Sequence, residues 1–175
     1  MIEEHWFYRS AEEWIAIAER LKLTPCPHCK VVGALSRHGS LFGFDESTRR
    51  QTTTRARRIF CSNRQRRPGC GWTFSIWLAD KIRRLSLTAR ALWTFLNNAI
   101  GDGITAAIRV ADCHLSDRTL QRVWKRFRLA QSKIRTALAA RCPPPGLPDP
   151  SHQPAQEVLA HLRVAFPDAD CPIAT

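Results

Sequence analysis

Hydrophobic and polar positions alternate with two different periods along this chain, and the change falls near residue 85. Upstream, the first periodic stretch is helical: Trp14, Ile15, Ala18 and Leu21 recur at three- and four-residue intervals. Ser10 and Glu13 precede it as a capping box, in which each side chain satisfies the other residue's backbone donor. Thr24-Pro25 ends the helix. Short strand-like runs follow. Residues 34–38 and 41–44 flank Gly39-Ser40, which predicts a tight hairpin turn. Residues 45–56 are polar and poor in strand formers, as a loop would be, and residues 57–60 and 73–77 are two further strands.

From Leu85 onward the period is helical. Ser86 or Thr88 can cap a helix carrying Leu92, Trp93, Leu96 and Ile100, which stops at Gly101 and Gly103. A second helix over 104–112 aligns Ile104, Ala107, Ile108 and Ala111. After the turn Cys113-His114-Leu115, Ser116 caps a long helix to about residue 141, with Leu120, Val123, Phe127, Ile134 and Leu138 along one side. Val123, Phe127, Ala130, Ile134 and Ala137 step by four and three, which fits a coiled-coil seam in a homodimer or packing on the chain's own first helix. Residues 142–154 hold six of the 11 prolines and read as a linker, and 155–166 as a short amphipathic helix. The expected organisation is an N-terminal helix (1–24), a small three- to four-stranded region (25–80), a helical module (81–141), the linker (142–154) and a short helix and tail (155–175). The class is α+β.

Composition narrows the partners. A chain of 175 residues accommodates one ordinary domain or two small ones. No apolar run approaches the roughly 20 residues of a membrane span. The N-terminus lacks the basic start and apolar stretch of a secretory signal, so a cytoplasmic protein without membrane contact is expected. The formal charge is +12, and it is unevenly placed. Residues 49–90 carry twelve basic side chains against the single acid Asp80, and residues 103–141 carry nine against two. Of the 27 basic residues 22 are Arg, the side chain suited to bidentate contact with phosphates and guanine edges. A polyanion is the expected partner.

Four of the seven cysteines form a pattern. Cys26-Pro27-His28-Cys29 is a C-x2-C knuckle, Cys61 follows after 31 residues, and Cys70-Gly71 after eight more. Cysteines beside short strands can deliver four thiolates to one Zn²⁺, which would order a stretch too small and too Arg-rich to fold on a core of its own. His28 and His38 are possible substitute ligands, with an outward position expected for His28. Cys113, Cys142 and Cys171 read as structural or incidental. Four thiolates fill a tetrahedron and leave no open position for catalysis, so no catalytic residue is expected.

From Pro25 to about Phe74 the chain resembles the zinc ribbon that opens many insertion-sequence transposases. The resemblance rests on Cys26-Pro27-His28-Cys29, Arg58-Ile59-Phe60-Cys61 and Cys70-Gly71-Trp72-Thr73-Phe74. It departs from the family at the second cysteine pair, where eight residues replace the usual two. Residues 104–127 resemble a helix-turn-helix, and Ser116-Asp117-Arg118-Thr119-Leu120 is similar to the start of recognition helices in transposases, invertases and repressors. That layout turns Arg118, Gln121, Arg122 and Lys125 towards base edges and Arg126 towards phosphate. Arg55, Arg57, Arg64, Arg66 and Arg67 would follow the DNA backbone or enter a minor groove. The order of the two modules implies a sequence-specific double-stranded DNA-binding protein of a mobile element. It would recognise transposon ends or an operator as accessory or regulator of a recombinase. The transposase catalytic domain, with its three spaced carboxylates, finds no room in the roughly 34 residues after the long helix. The alternative is an RNA- or protein-binding zinc-ribbon subunit of a ribonucleoprotein complex.

Overall fold

A computed structural model describes residues 7–44, 52–82, 85–146 and 153–167. It has the α+β class, with a four-stranded mixed sheet and five helices among the described residues. Residues 45–51 of the expected loop, 147–152 of the linker, 168–175 of the tail and Cys171 lie outside them. The chain divides into two compact units, the first ending at Arg83 and the second holding the residues from Arg84 onward.

The first unit contains β1 (Phe7–Tyr8), α1 (Ala11–Arg20), β2 (Leu35–Gly43), β3 (Thr53–Cys61) and β4 (Thr73–Leu78). Strand order is β1-β4-β3-β2; β1 runs parallel to β4 and the other neighbours are antiparallel. Ser10 caps α1 as expected, its Oγ accepting the Glu13 amide at 3.3 Å. The return arm is displaced by one residue, because Glu13 Oε2 accepts from the Arg9 amide at 2.6 Å. Trp14 and Leu21 enter a core with Tyr8, Leu35, Ile59 and Ile76, while Ile15 is exposed and Ile17 packs in its place. The N-terminal helix is therefore part of the sheet unit and not a separate segment.

Two strand expectations need correction. Gly39-Ser40 makes no hairpin turn; β2 runs through both, and the register against β3 shifts between Arg37 and Ser40. Gly39, at φ 103, places its left-handed conformation in a bulge. Residues 53–56 are not loop either, since β3 begins at Thr53. Pairing with β2 along its whole length overrides the weak local propensity of that polar run.

The second unit contains α2 (Ala89–Gly101), α3 (Ile104–Val110), α4 (Asp117–Ala139) and α5 (Pro154–Ala165). Thr88 is the cap of α2, with Oγ1 accepting the Ala91 amide at 3.2 Å. Gly103, at φ 84, then links α2 to α3. Ser116 stands at the N-cap of α4, but its hydroxyl pairs with Thr119 Oγ1 at 3.0 Å and caps no amide. Leu87, Phe95, Leu96, Ala107, Leu120, Val123 and Leu138 share one core with Val158, Leu159 and Leu162 of α5. Thus α5 is an integral wall of this unit and not an appended tail. Phe127 and Ile134 of the long stripe pack against that same core, as do Cys113 and Cys142. The chain leaves α4 anchored: His161 Nε2 and the Cys142 carbonyl lie 3.0 Å apart, and the Arg141 guanidinium sits 4.4 Å from the Phe166 ring centroid. No helix among the described residues is long and apolar enough to cross a membrane.

Candidate metal centre

Cys26 and Cys29 lie in the connection from α1 to β2, Cys61 ends β3, and Cys70 precedes β4. The sheet brings them together: the four Sγ atoms all lie within 4.8 Å of one another. Cys26 Sγ and Cys70 Sγ are 3.9 Å apart, and Cys29 Sγ and Cys61 Sγ 3.7 Å. A tetrahedron of thiolates with metal–sulfur bonds of about 2.3 Å has sulfur–sulfur edges of about 3.8 Å. The four cysteines can hold one metal ion without moving far.

The backbone explains how two unlike sequences make one site. In the first knuckle the Lys30 amide donates to the Cys26 carbonyl at 2.8 Å, and the Cys26 amide to the Val31 carbonyl at 2.9 Å. In the second, the Gly71 amide donates to the Cys61 carbonyl at 2.9 Å, and the Cys61 amide to the Trp72 carbonyl at 2.8 Å. Lys30 and Gly71 both have positive φ, 63° and 76°. The Cys70 amide also approaches Cys61 Sγ at 3.4 Å. Ser62 and Gly69 stand where an uninterrupted knuckle has its two spacers, and residues 63–68 are looped out between them. The Gly69 amide closes the base on the Ser62 carbonyl at 3.1 Å. A Cβ at Gly69 would lie 2.3 Å from that carbonyl oxygen, so only glycine fits the pinch. The eight-residue gap thus leaves the ligand geometry intact.

Amide donors and burial pull the metal-free thiols apart. The Val31 N–H bonds Cys29 and lowers its thiol to about 7. The Trp72 N–H acts the same way on Cys70, but desolvation and the Cys29 and Cys26 thiols outweigh it and the net shift is upward. Burial pushes Cys61 up to about 12. Cys61 would thus be the thiol that holds its proton most firmly, and metal binding there would require its loss. His28 is exposed, its ring 5.1 Å from that of Trp72, and His38 is exposed beside Phe60; neither joins the cluster.

The anticipated basic residues fall into two groups. Arg55 and Arg57 are structural cations, which corrects their expected place at a nucleic-acid surface. Buried Arg55 donates to the Phe44 carbonyl at 2.6 Å and the Ile82 carbonyl at 2.7 Å. Half-buried Arg57 donates to Ser40 Oγ at 2.8 Å and lies 5.6 Å from the Trp14 ring centroid. Both share strand parity with Ile59 and Cys61, core-facing residues of β3, a signal that becomes readable once the strand is known to begin at Thr53. Arg64, Arg66 and Arg67 are exposed on the looped-out segment. On α4, Arg118, Gln121, Arg122, Lys125 and Arg126 are all exposed, away from the buried Leu120 and Val123. The glycine after the second cysteine of a knuckle, here Gly71, is the sequence sign of backbone amides free to point at the sulfurs, and the glycine immediately before Cys70 is the only sign of the pinch at Gly69.

No protein-family model, curated protein or solved structure matches this chain.

Proposed function

We propose that this chain is a zinc-ordered, sequence-specific double-stranded DNA-binding protein, and that α4 reads the major groove. The observation that carries the reading is the stripe Arg118, Gln121, Arg122 and Lys125, four exposed side chains at helical spacing on the first half of α4. Seven residues of helix span about 10 Å, or roughly three base pairs. Arg and Gln offer bidentate donors and acceptors for guanine and adenine, each such pair discriminating by about 1–3 kcal/mol. Arg126 and Arg128, displaced around the helix, suit flanking phosphates. Zinc suits the centre because four thiolates at tetrahedral spacing match its preferred structural coordination. The order of a four-cysteine unit and a helical reader supports a place at the ends or operator of a mobile element, beside a recombinase made elsewhere.

Selection from a random duplex library, followed by titration in salt, tests this. With about six to eight phosphates neutralised, log K against log[salt] should fall with a slope of roughly −5 to −7. Arg122→Ala should weaken the selected site more than unrelated duplex. A slope near zero, or tighter binding of structured RNA at matched salt, sinks the reading.

A further inference from the structure

The looped-out segment 63–68 is not a slack insertion. The Arg67 amide donates to the Arg64 carbonyl at 3.1 Å, which closes a four-residue turn around Gln65 and Arg66. Both central residues have positive φ, 51° and 60°, the signature of a type I′ turn. That turn ordinarily takes Asn-Gly or Gly-Gly, so two consecutive side chains are held here in a region that L-residues avoid. The base is fixed by the Gly69–Ser62 backbone bond and by the Arg64 amide approaching Ser62 Oγ at 3.4 Å. Arg64 is held back, its guanidinium 5.5 Å from the Phe60 ring centroid. Arg66 and Arg67 remain at the exposed tip. From Ser47 to Ala79 the chain contains no Asp or Glu to neutralise them.

We infer that this turn is a minor-groove reader: Arg66 and Arg67 enter the narrow groove of an A·T tract. The inference rests on the duplex-DNA reading above. The minor groove is roughly 6 Å across, too narrow for the turn's own backbone but wide enough for a guanidinium, so the turn would rest at the rims and its two arginines would reach in. Narrow A-tract grooves concentrate negative potential and attract arginine, which sheds water more readily than lysine. Anchoring the turn between Cys61 and Cys70 holds the backbone from which the two guanidiniums project, which lowers the cost of ordering it on binding.

Arg66→Gly provides a clean test, because glycine accepts the positive φ while removing the guanidinium. The metal-loaded full chain is titrated against a duplex of about 20 base pairs with a central A-tract. It is titrated in parallel against the same duplex with 2,6-diaminopurine for adenine, which adds an amino group in the minor groove and leaves the major-groove edge unchanged. The unaltered chain should bind the modified duplex about tenfold more weakly. Arg66→Gly should keep metal content without lowering the thermal midpoint, bind the plain duplex about tenfold more weakly, and lose sensitivity to the modification. Arg122→Ala should keep that sensitivity. If Arg66→Gly lowers only the salt slope by about one and remains sensitive to the modification, Arg66 is a phosphate contact and the inference fails. Equal binding by Arg66→Gly and the unaltered chain overturns the inference while the duplex-DNA reading stands. No duplex binding by any form overturns both.

Discussion

The two halves of the candidate metal centre reach the same geometry from different sequences. In the first knuckle, two spacers separate Cys26 from Cys29; in the second, eight residues separate Cys61 from Cys70. Yet each closes with the same pair of backbone bonds, all four between 2.8 and 2.9 Å, and each places a positive-φ residue directly after its second cysteine. A knuckle is therefore defined by the hydrogen bonds at its base and not by the number of residues between its ligands. Six additional residues are tolerable because loop closure grows only as the logarithm of length, about 0.6 kcal/mol per doubling. They must leave and return through one point, and the Ser62–Gly69 pinch is that point.

If the knuckles are equivalent, removing a ligand from either must have the same large effect. Cys29→Ser and Cys61→Ser should each abolish metal retention and unfold the sheet unit. Structural zinc supplies on the order of 10 kcal/mol of folding free energy, comparable with the whole stability of a small domain. The core of the helical unit includes none of the four ligands, so its far-UV helical signal should survive in both variants. Metal content by elemental analysis, read beside circular dichroism, checks the pair. Retention of metal by one variant alone would break the equivalence.

The next effect separates the knuckles. Gly69→Ala drives a Cβ to 2.3 Å from the Ser62 carbonyl oxygen and 2.6 Å from its carbon, both backbone atoms with little freedom to yield. A loss of about 1–3 kcal/mol is expected, seen as a lower denaturation midpoint of the metal-loaded protein. His28→Ala, at an exposed spacer of the first knuckle, should change the midpoint little. Equal tolerance at both positions would mean that the pinch is not what holds the second knuckle closed.

The same contrast explains how far the sequence could be read. Cys26-x2-Cys29 was legible because all its determinants are contiguous, and helices α2 and α4 because their apolar period persists for several turns. The Ser62–Gly69 closure was hidden because it depends on two residues that meet only after β3 and β4 pair. Gly39 misled for a related reason: glycine serves a turn or a bulge equally well locally, and only the length of β3 as a partner decides for the bulge. Net charge likewise grouped Arg55 and Arg57 with Arg64, Arg66 and Arg67, since charge carries no direction. Strand parity with Cys61 does carry it, once β3 is known to start at Thr53. The exposure of the α4 basic side chains is plainer, because helical spacing already separates Arg118 and Arg122 from Leu120 and Val123.

The smallest effect is the sharpest comparison, because it exchanges the residues at equivalent positions. Lys30 adopts φ 63 with a full side chain, whereas Gly71 adopts φ 76 without one. A left-handed conformation costs an L-residue roughly 1–2 kcal/mol, and glycine in turn loses about 0.5–1 kcal/mol through the entropy of the unfolded chain. Lys30→Gly also gives up the Nζ bond to the Pro27 carbonyl at 2.9 Å, an exposed contact that contributes little. The net expectation is stabilisation by a few tenths to about 1 kcal/mol. Gly71→Ala should move the other way by about 1–2 kcal/mol, since its Cβ meets both the unfavourable φ and the Asn63 side-chain amide at 2.8 Å. Opposite signs in the denaturation midpoints of the two metal-loaded variants would show that both knuckles require the same backbone turn and that only the second has the residue suited to it. Two shifts of the same sign would mean that the shared hydrogen bonds do not impose a common conformation after the second cysteine.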